Sequence, residues 1–399
     1  MRPGVAPIST FWFLYMAALG VMFPYQSLYF QENVGLSGSQ LGMVLAVHPL
    51  MGIIASPLWG QWADRTGRRR GAVFILALGS AVGYFLVPLA SSFLILLLCL
   101  VLLSAFAAPT MPVASSLSFA VLGEQAASRF GRVRVWGTLG YLFMILLFPS
   151  LLERMGGDAA VAGSTAGLEL IFPMAGALCV CAAFVLLRVP PANAVSVRAR
   201  REDLNALLKQ VSYIRLLLLA FLAFLLLSGP IVLFPVFVAE RGGNLEMVSR
   251  LWIPMLLLEI PLIYYAGAGL RRVGARGLIA AGIAVDGARW LIVALAPSFH
   301  WIFAIQLLHG AVVVGLIIGM QLYVEEEVPD RLRATGQTVL STTMSLGAVL
   351  SHLWAGSTLE HFGAATPYLI AGPISIALGV FAWFFLSAHV IKPTGGASV

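Results

Sequence analysis

Apolar residues run along this chain in long stretches, separated by short clusters of charge, glycine and proline. A helix needs roughly 20 consecutive apolar residues to cross the hydrocarbon core of a bilayer. That measure predicts twelve spans, at about 8–31, 38–62, 71–90, 92–122, 134–153, 165–187, 213–239, 246–270, 277–297, 299–324, 333–357 and 364–388. The fourth and tenth runs exceed what a bilayer requires, so tilt or overhang is expected there. The first run, from Ile8, follows a single charge and meets no small-residue cleavage site before Glu32, so it is read as a retained first helix.

Composition agrees with that pattern. The 399 residues are 60% hydrophobic and 10% charged, against roughly 25% charged in a soluble domain. The net charge of +7 has a topological cause rather than a nucleic-acid one, because the arginines fall in short loops between spans. An even number of spans puts both termini on one side. If that side is the cytoplasm, twenty of the 24 basic residues lie there. Only Arg154, Arg241 and Arg250 lie on the far side, and Arg289 lies within a span. The positive-inside bias thus sets the orientation, in a cell membrane with cytoplasmic termini. Cys99, Cys179 and Cys181 fall within predicted spans and suggest neither a disulfide framework nor a metal site.

The longest loop opens with Pro190-Pro191 and is densely charged, which marks a linker between two six-helix halves. The predicted organisation is 1–188, a cytoplasmic linker 189–212, and 213–399, with a short amphipathic helix from Glu202 to Val211. The halves are related. At an offset of 207, Gly60, Arg65, Gly67 and Arg69 meet Gly267, Arg272, Gly274 and Arg276, while Asp64 meets Arg271. A second echo, offset by 199, pairs Arg132, Arg134 and Gly137 with Arg331, Arg333 and Gly336. Two echoes in corresponding loops argue for a duplicated unit.

The loop between spans two and three reads Gly60-x-x-x-Asp64-Arg65-x-Gly67-Arg68-Arg69. Its glycines allow a tight turn and close helix approach, and Asp64 with the arginines can form an ion-paired latch. This loop resembles the signature of the major facilitator superfamily. The resemblance implies an all-α polytopic membrane protein of two pseudo-symmetric six-helix bundles, and a latch that closes this side in the outward-open state. Stretches 22–44, 130–141 and 328–337, with Arg289 and the sequence around His309, are similar to the branch holding lactose permease, the nucleoside–proton symporters and the phenylpropionate permease-like carriers.

Ionisable residues deep in a span are costly and so become functional candidates. Here they are Glu259, Asp286, Arg289, His309, His48 and His352. Asp286 and Arg289, three apart, share a helical face and either neutralise one another or serve the site. The resemblance implies that Arg289 of span nine and His309 of span ten belong to a coupling site, with Glu259 of span eight as the matching carboxylate. A carboxylate near such cations can load a proton, since burial and charge act on it in opposite directions. The chain also departs from the pattern. Val312 stands one turn past His309, where lactose permease has an acid, and span four (109–122) has no acid, only Ser115 and Ser116. Arg134 is then either open to an anionic substrate or a loop-edge charge. His48 and His352 are read as packed, hydrogen-bonded histidines, and Glu325–Glu327 as a solvated charge cluster.

Gln26 and Tyr29 share a face of span one and offer an amide and an aromatic surface, as a sugar or nucleoside ring requires. Trp136, Tyr141, Trp290 and Gln306 are candidates for the same cavity, whereas Trp12, Trp59, Trp62 and Trp301 read as an interfacial belt. The expectation is a monomeric secondary transporter of a small organic solute (sugar, nucleoside or aromatic acid) working by alternating access with proton symport. Proton-coupled efflux, uncoupled facilitation and a transport-inactive sensor are the alternatives. No nucleotide-binding loop, HExxH, GxSxG or paired acids occur in the spans, so neither an enzyme nor a cofactor or metal is expected.

Overall fold

A computed structural model describes residues 4–123, 126–157, 160–161, 163–190 and 205–387. Its regular structure among these residues is helical, joined by short turns and loops, and the helices follow the predicted spans. Ten of them are long and apolar enough to cross a membrane. Leu245–Leu257 with the helix that follows it, and Arg333–Phe362, supply the other two crossings of a twelve-helix major facilitator fold. Large apolar side chains such as Leu89, Leu94 and Phe384 point outward, as lipid-facing positions must.

The ends of the helices follow from local chemistry. Span two, Gly38–Thr66, starts with a capping box: Ser37 accepts from the Gln40 amide, and the Gln40 side chain accepts from the Ser37 amide. It stops at Gly67, whose φ of 66° is the left-handed turn that glycine makes without strain. Most of the linker lies outside the described residues. Of its predicted amphipathic helix, residues 202–204 also lie outside them, while 205–207 form a helical turn that buries Leu207.

The chain divides into two compact units. One comprises Met1–Val197 with Ile231–Ile253 and Ala348–Ala364. Within it, spans one and five touch backbone to backbone: a Cβ at Gly20 would lie 2.5 Å from the Tyr141 carbonyl oxygen, and one at Gly140 would meet the Phe13 carbonyl. Small residues at helix interfaces are how membrane helices gain close packing without a hydrophobic driving force. The other unit comprises Arg198–Pro230, Pro254–Gly347 and Ala365–Val399. There span nine meets span ten at Gly282 and Gly315, and span twelve at Gly287 and Gly372.

Among the described residues, three spans are interrupted. Span one leaves its helix at Phe23–Tyr25, beside Pro24, and resumes through a wider turn, Tyr29–Asn33, closed by the Val34 amide on the Tyr29 carbonyl. Span eight breaks at Leu258. Span ten breaks at Leu307–Leu308 and widens again over Val313–Ile318. Such π-type turns concentrate at functional sites, because they redirect side chains and free backbone groups.

Candidate functional site

The interruptions carry the candidate residues. Gln26 follows the break in span one, Glu259 the break in span eight, and Gln306 and His309 flank the break in span ten. The last two breaks meet, since a Cβ at Gly310 would lie 2.8 Å from the Glu259 amide nitrogen and the Leu258 carbonyl carbon. Only glycine lets these backbones touch, and the contact sets Glu259 next in space to the residue that follows His309.

The same unit holds a buried charged cluster that includes Gln306 at the edge of the break in span ten. Asp286, Arg289 and Gln306 are 2%, 0% and 0% exposed. Arg289 Nη2 donates to Asp286 Oδ1 at 2.8 Å, and Nη1 donates to Gln306 Oε1 at 2.7 Å. Trp290 Nε1 donates to Asp286 Oδ2 at 3.1 Å, so both carboxylate oxygens are engaged. The guanidinium also lies 3.7 Å from the centre of the Trp290 ring, and that ring packs on Tyr368 at 5.2 Å. A guanidinium carries donors only, so the Gln306 oxygen must face it and the amide nitrogen faces away. Arg289 Nε, Gln306 Nε2 and His309 Nδ1 are buried and have no protein partner among the described residues.

In the first unit, the Arg134 guanidinium sits 4.9 Å above the Trp12 ring. Trp12 is fully buried and donates from Nε1 to Ser118 Oγ at 3.0 Å, which in turn donates to the Ala114 carbonyl. The belt expectation for Trp12 is thereby corrected: this tryptophan is a support for Arg134 inside the unit, whereas Trp301, 60% exposed, matches an interfacial position. Nothing local in the sequence announces a partner 106 residues away. Tyr29 packs edge-on against Phe172 at 4.8 Å and is almost fully buried, while Trp136 is half exposed.

On the arginine-rich face, Asp64 Oδ1 accepts from Arg69 Nη2 at 2.7 Å and from Nε at 3.2 Å, an ion pair closed within the loop itself. Arg65 bonds Gln61, and Arg70 donates to the Val189 carbonyl at 2.9 Å. Gly67 makes the expected turn, but a Cβ at Gly60 would meet no described atom within 4 Å, so close helix approach is not what glycine provides there. In the repeat, where Asp64 has become Arg271, the matching Arg276 lies over the Trp383 ring at 4.6 Å. Arg333 pairs with Glu325 at 3.3 Å, as the charge-cluster reading expected.

The opposite face is knitted together within the first unit. Asn244 Nδ2 donates to the Ala160 carbonyl at 2.7 Å, Ser249 Oγ to the Ile145 carbonyl, and the Phe23 and Trp252 rings meet edge to face at 5.3 Å. Glu360 accepts from both Ser37 and Ser39. None of these four links was foreseen from sequence, because each joins residues from distant parts of the chain.

Interrupted membrane helices, buried charges in the spans and a paired Asp-Arg loop define a polytopic membrane carrier of the major facilitator class. Comparisons with known proteins agree. The chain belongs to the MFS_1 like family, whose profile matches residues 6–370, and which is a family of transporters rather than enzymes. A maltose permease of Geobacillus stearothermophilus is 28% identical over 376 residues, covering 92% of this chain and 90% of that one. A putative sugar efflux transporter of Deinococcus radiodurans is 27% identical over 372 residues, with 90% and 92% covered. Among solved structures, the nucleoside transporter NupG superposes with a TM-score of 0.82 at 17% identity, covering 96% of this chain and 99% of that one.

Proposed function

We propose that this transporter carries a small neutral sugar-like solute by alternating access and couples it to protons as a symporter. The observation that carries this reading is the buried donor excess around Arg289 and Gln306. A sugar hydroxyl supplies lone pairs to Arg289 Nε and Gln306 Nε2, and a pyranose face suits the aromatic surface of Trp290 and Tyr368. Buried donors left without acceptors discriminate strongly for a solute that satisfies them. The sugar carriers among the relatives support the same class.

Gln26, Tyr29, Arg134 and Trp136 complete the solute-binding set in this reading. Glu259 and His309, brought near one another by the Gly310 contact, carry the proton, while Asp286 and Arg289 hold the site's charge balance. Gly60, Asp64, Arg65, Gly67, Arg68 and Arg69 form the cytoplasmic gate. The protein acts as a monomer in the cell membrane, with six-helix halves 1–188 and 213–399, a cytoplasmic linker 189–212 and both termini inside. Sugar efflux transporters among the relatives favour proton-coupled efflux as a second reading, whereas the acid-free span four and Val312 favour uncoupled facilitation.

Counterflow in proteoliposomes tests the solute class, using maltose, other oligosaccharides, nucleosides and aromatic acids. Maltose-class solutes are expected to exchange, and to accumulate under an inward proton gradient. Arg289→Ala is expected to abolish exchange, and Glu259→Gln to abolish accumulation while leaving exchange. Counterflow restricted to nucleosides or acids would overturn the sugar reading, and uptake indifferent to the gradient would overturn symport.

A further inference from the structure

Glu360 lies on the face opposite the arginine-rich loop, just past span eleven. Its Oε2 accepts from the Ser39 backbone amide at 2.7 Å and from Ser37 Oγ at 3.1 Å. Both donors belong to the first turn of the 29-residue helix of span two. The leading amides of a helix have no partner inside it and form the positive end of its dipole, so a carboxylate is favoured there. Beneath this bond the two backbones touch. A Cβ at Gly38 would lie 2.5 Å from the Gly356 carbonyl oxygen and 2.7 Å from the Glu360 nitrogen, and one at Gly42 would lie 2.5 Å from the His352 carbonyl oxygen. The turn beyond is fastened as well, by the Ala364 amide donating to Glu240 Oε2 at 3.1 Å.

We propose that Glu360 is a clasp: a carboxylate on the last helical turn beyond span eleven that grips the start of span two and holds this face of the carrier shut, and whose release is a step in opening it. The proposal rests on the alternating-access reading above, but on none of the solute or proton residues named there. The glycine contact gives shape and no direction. The two hydrogen bonds to Glu360 give the closed state a charge-assisted attachment that can be made and broken in each cycle.

Among the described residues, the titratable groups beside the clasp are His361, its neighbour on the same helix, and Glu240 at the Ala364 amide. From span two, residues 34–42 bring only the polar side chains of Ser37, Ser39 and Gln40. The Ser39 bond first, then the Ser37 bond and nearby His361, hold the Glu360 carboxyl below its ordinary range. The sign follows: the grip is fully present above the ordinary carboxylate range and is lost as pH falls through the lowered value.

The test is the separation of spin labels on cysteines placed at the exposed positions Val34 and Phe362, in the full chain in nanodiscs with Cys99, Cys179 and Cys181 changed to serine. Glu360→Gln is expected to raise the separated population at least about threefold, the scale of an exposed polar contact. Ser39→Pro removes the amide donor in the first helical turn, where proline is tolerated, and is expected to do the same. Combining the two should add nothing further. Acidifying the sample should separate the labels in the parent and leave Glu360→Gln unchanged. Unchanged distances in both single variants, or fully additive effects, would overturn the clasp. A shift in distances without counterflow of any solute would fault the solute reading instead, and leave the clasp standing.

Discussion

Arg289 can stay charged in a span because three side chains share the work: Asp286 neutralises it, Gln306 takes a second hydrogen bond, and Trp290 lies against its face. Removing Asp286 alone strands the guanidinium. We therefore expect Asp286→Ala to cost about 3–5 kcal/mol, the scale for breaking a buried ion pair. The double variant Asp286→Ala/Arg289→Ala should recover much of that loss, as read by thermal unfolding in detergent. A loss in the double variant equal to the sum of the Asp286→Ala and Arg289→Ala losses would mean the pair is not energetically linked. The pair itself was legible in the sequence, because residues three apart share a helical face. The attachment of Arg134 to Trp12 was not: a tryptophan near a span end looks like a belt residue until its N–H is found on Ser118 of another helix.

At the scale of elements, the interruptions matter more than the helices. Hydropathy located the spans within a few residues, yet nothing in the sequence marks the break at Leu307–Leu308, whereas Pro261, which cannot donate to the Leu257 carbonyl one turn back, marks the break at Leu258. Only Pro24 signals the break in span one. Helix pitch is an outcome of packing here. The joint between spans eight and ten depends on Gly310, and Gly310→Ala puts a methyl 2.8 Å from the Glu259 amide. We expect that overpacking to cost about 1–3 kcal/mol, and to lower the maximal transport rate more than the apparent affinity. Measuring initial rates across solute concentrations checks this, and a change in affinity alone would count against a mechanical joint.

At the scale of the whole molecule, the duplication read from two short echoes is matched by structure at the loops but not by identical chemistry. Asp64 pairs with Arg69 in one loop, and the corresponding arginine of the other lies over Trp383. Gly60 is the informative position, since it has room for a side chain in this conformation. Valine there should leave thermal stability within about 0.5 kcal/mol of the parent, as for an exposed substitution. It should nevertheless slow turnover if the loop packs closely in another stage of the cycle. Parent-like turnover in Gly60→Val would show that the latch needs no such approach.

The unlike chemistry of the two loops has a consequence for how each answers to its surroundings. An ion pair whose carboxylate is a third exposed feels dissolved salt, within a screening distance of about 8 Å at physiological ionic strength. A guanidinium lying on an indole depends chiefly on keeping water from the ring, and much less on counterions. Rising ionic strength on the arginine-rich side would therefore loosen the first loop and leave its copy in place. One sequence motif, duplicated, has become two fastenings sensitive to different properties of the same solution.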